Sequence, residues 1–271
     1  MALTKVLITV KTYPTLSAKY EELVCTAGFK EDGSWIRIYP IPFRKKAYHE
    51  QYKKYDWIEL DLVKNENDFR PESYRPKSLD QEINVVGHID TSNNWEERKQ
   101  ICLGKVYNDL DILIAEAKNK KIGTSLAVFK PTAILDFYAE PAEREWPKDK
   151  LEKLNQYNLF ETNDAGKFEV VKKLPYKFKF KFKDSEGKER NLMIEDWEVG
   201  ALYWKQLAKY EGDEIKAIAD VRKKYLDDFA RTKDLHFFLG TTYAFHAKNA
   251  PNPFVIIGAF HPKQEVQGRL F

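Results

Sequence analysis

Residues 22–40 read ELVCTAGFKEDGSWIRIYP, and this stretch decides the fold class. Two runs rich in β-branched and aromatic residues, 22–29 and 34–41, flank Lys30-Glu31-Asp32-Gly33, whose Asp-Gly pair supplies the positive φ that a tight hairpin requires. The second run alternates. Ile36 and Ile38 fall on one face, and Trp35, Arg37 and Tyr39 on the other. Residues 5–12 precede the hairpin as a β-branched run. Residues 57–63 follow it, with Ile58, Leu60 and Leu62 opposite Trp57, Glu59 and Asp61. The first 62 residues therefore read as consecutive strands.

Further along, residues 65–94 break into Pro, Asn, Asp and Ser with scattered charge and read as a long surface connection. A short helix is expected at 95–100. A longer one is expected at 108–121, where Leu110, Leu113, Ile114 and Ala117 share a face and Gly123 lies past the end. Strands follow at 125–130 and 133–138. Residues 140–149 are rich in Pro and charge and read as a boundary. The second part opens on a stricter alternation: Tyr176, Phe178, Phe180 and Phe182 interleave with Lys177, Lys179, Lys181 and Lys183 before a turn at 184–188 leads into a strand at 190–196. Helical spacing then runs over 199–229, interrupted near Gly212, and strands are expected at 235–241 and 254–260. The pattern predicts a β-dominated α+β protein of two units, residues 1–140 with an inserted helix and residues 165–271 with a helical segment.

Composition narrows the function classes. The 271 residues carry 45 Lys and Arg against 42 Asp and Glu, so the net charge of +3 excludes a polycation, and any polyanion-binding surface must come from local segregation of charge. Aromatic residues make up 14% of the chain, a loading that suits both strands and stacking surfaces. Cys25 and Cys102 form neither a CxxC pair nor a zinc-like spacing, which argues against a disulfide scaffold and a structural zinc. No segment approaches the length of apolar sequence needed to cross a membrane as a helix. The first residues read as a strand rather than a leader, so a cytoplasmic location is expected.

Three stretches are candidates for binding. Trp35, Arg37 and Tyr39, continued by Arg44 and Lys45, would stack bases and hold phosphates if their face is exposed; the other reading packs that face against a helical layer. The lysine ladder at 177–183 reads either as the solvated side of a strand with a buried Phe row or as a phosphate-contacting strip. In FRPESYRP, residues 69–76, Arg70 and Arg75 flank Glu72, Ser73 and Tyr74 between two prolines, either as a rigid phosphate reader or as a stiffened loop with an internal Arg–Glu72 pair. Enzyme signatures are weak. His49, His88, His236, His246 and His261 have no metal-site spacing, and there is no phosphate loop or nucleophile elbow. Catalytic residues, a metal and a cofactor are accordingly not expected. The acidic pairs Glu59 with Asp61, and Glu195, Asp196 with Glu198, keep a metal-dependent nuclease or base-excising hydrolase as the competing reading.

Four segments in order, ELVCTAGFKEDGSWIRIYP, YDWIELDLVKNENDFRPESYRP, SLAVFKP and PYKFKFKFKDSEGKERNLMIEDWE, together resemble the dual OB-containing domain family of bacterial defence loci. The resemblance covers residues 5–198 in pieces. It implies two OB-like small barrels and binding of DNA or RNA, possibly single-stranded or modified, in defence against phage or mobile elements, without catalysis. For nucleic-acid binding the candidate contact residues, read from the strand face and the FRPESYRP loop, are Trp35, Arg37, Tyr39, Arg44, Lys45, Arg70, Tyr74 and Arg75. An adaptor that binds a protein of a defence system is the third reading.

Overall fold

A computed structural model describes residues 3–17, 21–152 and 170–265. The hairpin forms as expected: β3 (Glu21–Lys30) and β4 (Trp35–Ile41) pair antiparallel around Gly33, which has φ +77°. Asp32 locks the turn by accepting from the Ser34 amide at 2.9 Å. Around this hairpin lies a curled sheet in the order β6-β7-β4-β3-β1-β5-β8, with β2 (Thr15–Ser17) also on β3. Its other members are β1 (Thr4–Lys11), β5 (Asp56–Leu60), β6 (Leu62–Lys64), β7 (Ser73–Pro76) and β8 (Asn84–His88). The central strand β1 is buried on both faces. Val6 and Ile8 join an inner core with Ile36, Ile38 and Ile58, while Leu7 and Val10 turn to the next layer. At the register Ile8↔Gly28, β1 and β3 approach so closely that a Cβ on Gly28 would sit 1.9 Å from the Leu7 carbonyl oxygen.

The expected long surface connection at 65–94 is partly sheet. β7 lies parallel to β4, and β8 closes the other edge against β5. Both are short. SYRP contains a proline and NVVGH has no buried alternate row, so neither shows the two-residue period that marks a half-buried strand.

The second body contains a four-stranded sheet, β15-β14-β10-β9, and a three-stranded one, β11-β12-β13. These are β9 (Val106–Tyr107), β10 (Leu126–Phe129), β11 (Ala133–Pro141), β12 (Tyr176–Lys183), β13 (Glu189–Met193), β14 (His236–Thr241) and β15 (Phe254–Phe260). The first unit was expected to run to 140, but β10 and β11 pair with β14 and β12 and belong to this second body. Phe178, Phe180 and Phe182 enter its core, each contributing about 1.5–3 kcal/mol by leaving water. Two of the alternating lysines are matched across the sheet, Lys179 with Glu140 at 2.5 Å and Lys181 with Glu189 at 2.6 Å. Such exposed pairs are worth about 1 kcal/mol at most, so the Phe row, not the lysines, holds β12 in place as the middle strand. Helices α2 (Leu110–Lys118), α3 (Trp197–Lys209) and α4 (Glu214–Arg222), with the wider π-type turns at Lys223–Ala230, cover that core. Gly212, at φ +94°, divides α3 from α4 where the sequence marked an interruption.

The two bodies meet face to face. Leu7, Ala27 and Phe29 pack with Leu126, Val128, Phe238 and Ile257. Helix α1 (Ser92–Cys102) flanks this seam, and its Asn93, Asn94 and Trp95 are left-handed, with φ between +49° and +64°. Left-handed backbone costs roughly 1–2 kcal/mol per residue without glycine. Asn94 offsets it by donating to the Lys263 carbonyl at 3.0 Å and accepting from its amide at 2.7 Å. Trp95 packs on Tyr55, Phe260 and His261.

His261 also stacks on Phe229 at 3.7 Å. Burial pushes its pKa from 6.5 down to about 4; Glu198 pulls the other way, and Lys54 and Lys224 add to the depression. The folded protein therefore holds His261 neutral where the unfolded chain protonates it, and stability falls as pH drops through 6.5 and levels off near 4. The contribution lost between pH 7.5 and 5 is about 2 kcal/mol. Urea midpoints measured across that range are expected to fall less steeply in His261→Phe than in the parent; equal slopes would show that the ring is hydrated.

Candidate functional site

A cleft of about 490 Å³ opens where the three sheets meet. Residues 194–196 stitch them together. The Ile194 amide donates to Phe178 of β12, the Glu195 amide to Ile256 of β15, and the Glu195 carbonyl accepts from Tyr13, just past β1. Nine separate stretches of chain contribute to the cleft, and its surface is chiefly apolar, with Tyr13, Tyr39, Trp146, Tyr176 and Tyr243 among the lining rings. Tyr13 is fixed by geometry: its hydroxyl donates to the Lys172 carbonyl and accepts from Trp204 Nε1, both at 2.8 Å. It lies flat on α3 because residue 200 is glycine; a Cβ there would meet the Tyr13 ring at 2.2 Å. Trp146 is anchored by its Nε1 donating to the Val171 carbonyl at 2.8 Å.

Two guanidiniums reach the floor from inside the protein. Arg37 is 2% exposed and donates to the Ser125 hydroxyl at 2.8 Å and to its carbonyl at 3.1 Å. Glu72 holds the other side of Ser125, accepting from its hydroxyl at 2.7 Å and its amide at 3.1 Å. Arg70, 6% exposed, makes a bidentate pair with Asp68 and donates to the Thr241 carbonyl at 2.6 Å. Burial and the neighbouring Arg70 both lower the Arg37 pKa.

Beside them stand Cys25 and Glu195. Burial raises the Cys25 thiol, with the nearby Arg37 opposing, so it is not an activated nucleophile. Burial likewise raises the Glu195 carboxyl, and among the described residues its side chain has no hydrogen-bond or ion-pair partner. A half-buried carboxyl without a partner beside a cleft offers a donor and an acceptor to a ligand when protonated. Lys177, exposed at the same cleft, also has no acid partner among the described residues.

Of the residues expected from sequence, the structure brings Arg37, Tyr39 and Arg70 together and separates the rest. The open platform on β4 is not present. Trp35 packs on Phe29 at 4.0 Å and Phe238 at 5.6 Å in the seam, and Arg37 is enclosed, because a second sheet covers that face. Arg44 donates to Glu22 at 2.6 Å beside a neighbouring hollow, and Lys45 is exposed on a single turn of 3-10 helix. Tyr74 lies under the Lys64 ammonium, and Arg75 points to solvent. FRPESYRP is therefore an internal latch: Arg70 pairs with Asp68 rather than Glu72, and Glu72 is committed to Ser125. Three of the acids of the competing reading are engaged, Glu198 with Lys54 at 3.0 Å among them. Asp61 pairs with Lys77, and Asp196, fully buried, accepts twice from Lys54. Among the described residues no three His, Cys, Asp or Glu side chains gather in a metal-holding group. Tyr13, Trp146, Tyr176 and Tyr243 escaped the sequence reading, and Glu195 entered it only as one of a run of acids, because their proximity arises only from the meeting of sheets.

Residues 2–104 match a family model described as domain of unknown function DUF8758. Residues 107–271, more than half of the chain, match a second described as domain of unknown function DUF8757. The chain belongs to the DUF8757 family. The junction between the two models falls between β8 and β9, where strand pairing passes from the curled sheet to the second body. The cleft consequently draws residues from both matched regions, Arg37 and Arg70 from the first and Glu195 and Tyr243 from the second. No curated protein matches the chain.

Proposed function

We propose that this protein binds single-stranded nucleic acid by taking one base into the cleft at the junction of the sheets. The observation that carries this reading is an aromatic-walled cavity with an unpartnered carboxyl at its floor and an unpaired lysine at its edge. A nucleotide offers the flat face of its base to Tyr and Trp rings, the base's hydrogen-bonding edge to Glu195 and its phosphate to Lys177. The volume suits a ligand of nucleotide size, since small-molecule sites span roughly 300–1,000 Å³. The buried guanidiniums act from behind, keeping the floor rigid and positively biased.

Fluorescence anisotropy with labelled DNA and RNA strands, run over a salt series, tests this. Binding is expected at low salt, and Trp146→Ala is expected to weaken it by about tenfold, the equivalent of about 1.4 kcal/mol. Glu195→Gln keeps a donor and an acceptor and is expected to bind with less dependence on pH. Absence of binding to either polymer at low salt, where phosphate contacts are strongest, rejects the reading.

A further inference from the structure

Next to the cleft lies a second groove, of about 700 Å³, formed by Phe69 and Pro71 of the latch, residues 117–123 around the end of α2, and α5 (Tyr243–Ala247). Its rings are outside the core. Phe69 is 56% exposed and Tyr243 51%, with their centroids 5.7 Å apart. His246 meets Phe69 edge-on at 4.9 Å and is held by its ring nitrogens at the Thr241 hydroxyl and the Ala117 carbonyl. Apolar Ile122 is half exposed on the opposite side.

The charge around these rings is one-sided. Lys118, Lys120 and Lys121 line the groove and no Asp or Glu does. None of the three has an ion-pair partner among the described residues, whereas some lysines elsewhere are matched, as Lys188 with Asp111 and Lys224 with Asp228. Water-exposed rings beside unneutralised ammonium groups are complementary to a polyanion that carries flat faces. Tyr243 lines both this groove and the cleft, so the two are adjacent stations on one surface.

We infer that the groove carries the flanking nucleotides of the strand whose base enters the cleft, with Phe69 and Tyr243 stacking and Lys118, Lys120 and Lys121 on phosphates. This rests on the base-in-cleft reading, but it assigns a distinct surface and a distinct length of ligand. The consequence is that affinity grows with strand length as further phosphates meet Lys118, Lys120 and Lys121. Each phosphate contact adds about 0.7 to the salt slope for single strands.

The experiment compares a mononucleotide with single-stranded oligonucleotides of increasing length, bound to the parent, Phe69→Ala, and Lys120→Glu with Lys121→Glu. All three changes are at exposed positions. Phe69→Ala is expected to weaken the longer strands by about tenfold, the equivalent of about 1.4 kcal/mol, and to leave the mononucleotide unchanged. The double charge reversal is expected to lower the salt slope by about 1.4. Groove variants that bind long strands as the parent does overturn the inference. If they instead change the self-association of the protein seen by light scattering while strand binding stays intact, the groove is a contact between protein copies and the inference is likewise overturned. Should Trp146→Ala have no effect while the groove variants lose long strands, the cleft reading fails and the groove assignment stands.

Discussion

Gly28→Ala is expected to destabilise the protein by about 3 kcal/mol or more, read as a lowered urea midpoint with an unchanged transition slope. The added Cβ would lie 1.9 Å from the Leu7 carbonyl oxygen and 3.1 Å from the Ile8 Cα, and both are backbone atoms. Side chains can rotate away from a clash, but a strand paired on both sides cannot. β1 is hydrogen-bonded to β3 on one side and β5 on the other, and both of its faces are buried. Gly33→Ala is the control, since nothing lies within 4 Å of the new Cβ and only the positive φ is penalised, by about 1 kcal/mol. If Gly28→Ala were no worse than Gly33→Ala, β1 and β3 would have to be farther apart than their register requires.

Asp68→Ala is expected to cost about 3–5 kcal/mol, because it strands the Arg70 guanidinium in the interior without its counter-ion. The loss includes more than the pair. Asp68 also accepts from Ser73 at 2.7 Å, and burial would raise its pKa were Arg70 not holding it down. Replacing both partners, Asp68→Ala with Arg70→Met, is expected to recover much of the stability, since an apolar chain of similar length has no desolvation penalty. Thermal melts of the two single variants and the double separate these terms. A near-neutral Asp68→Ala would mean that water reaches Arg70 and that the latch is not enclosed.

Much of the fold was legible because it rests on local periodicity. The hairpin at Gly33 and the Phe row of β12 could be placed from alternation alone, and the break at Gly212 from a residue type that permits positive φ. β7 and β8 were missed because short edge segments with Pro, Gly and polar residues show no buried alternate row. The candidate site was legible only in part, for a different reason. Arg37, Tyr39 and Arg70 were singled out as an aromatic and guanidinium surface, but whether a strand face is solvated or covered depends on the layer above it. Here that layer is β10, β14 and β15, more than 80 residues along the chain. Glu195 sat among acids whose abundance hid it, and its place at the cleft without a partner distinguishes it.

The Ser125 hub has a consequence for how this chain can be divided. Arg37 and Glu72 lie in one matched region and Ser125 in the other, and the Arg70 to Thr241 bond crosses the same line. Cut between β8 and β9, the first segment would lose both acceptors of Arg37 on Ser125 and the Thr241 carbonyl that Arg70 reaches, and the second would present Leu126, Val128 and Phe238 to water. Expressed alone, each segment is therefore expected to need a substitute for the missing face.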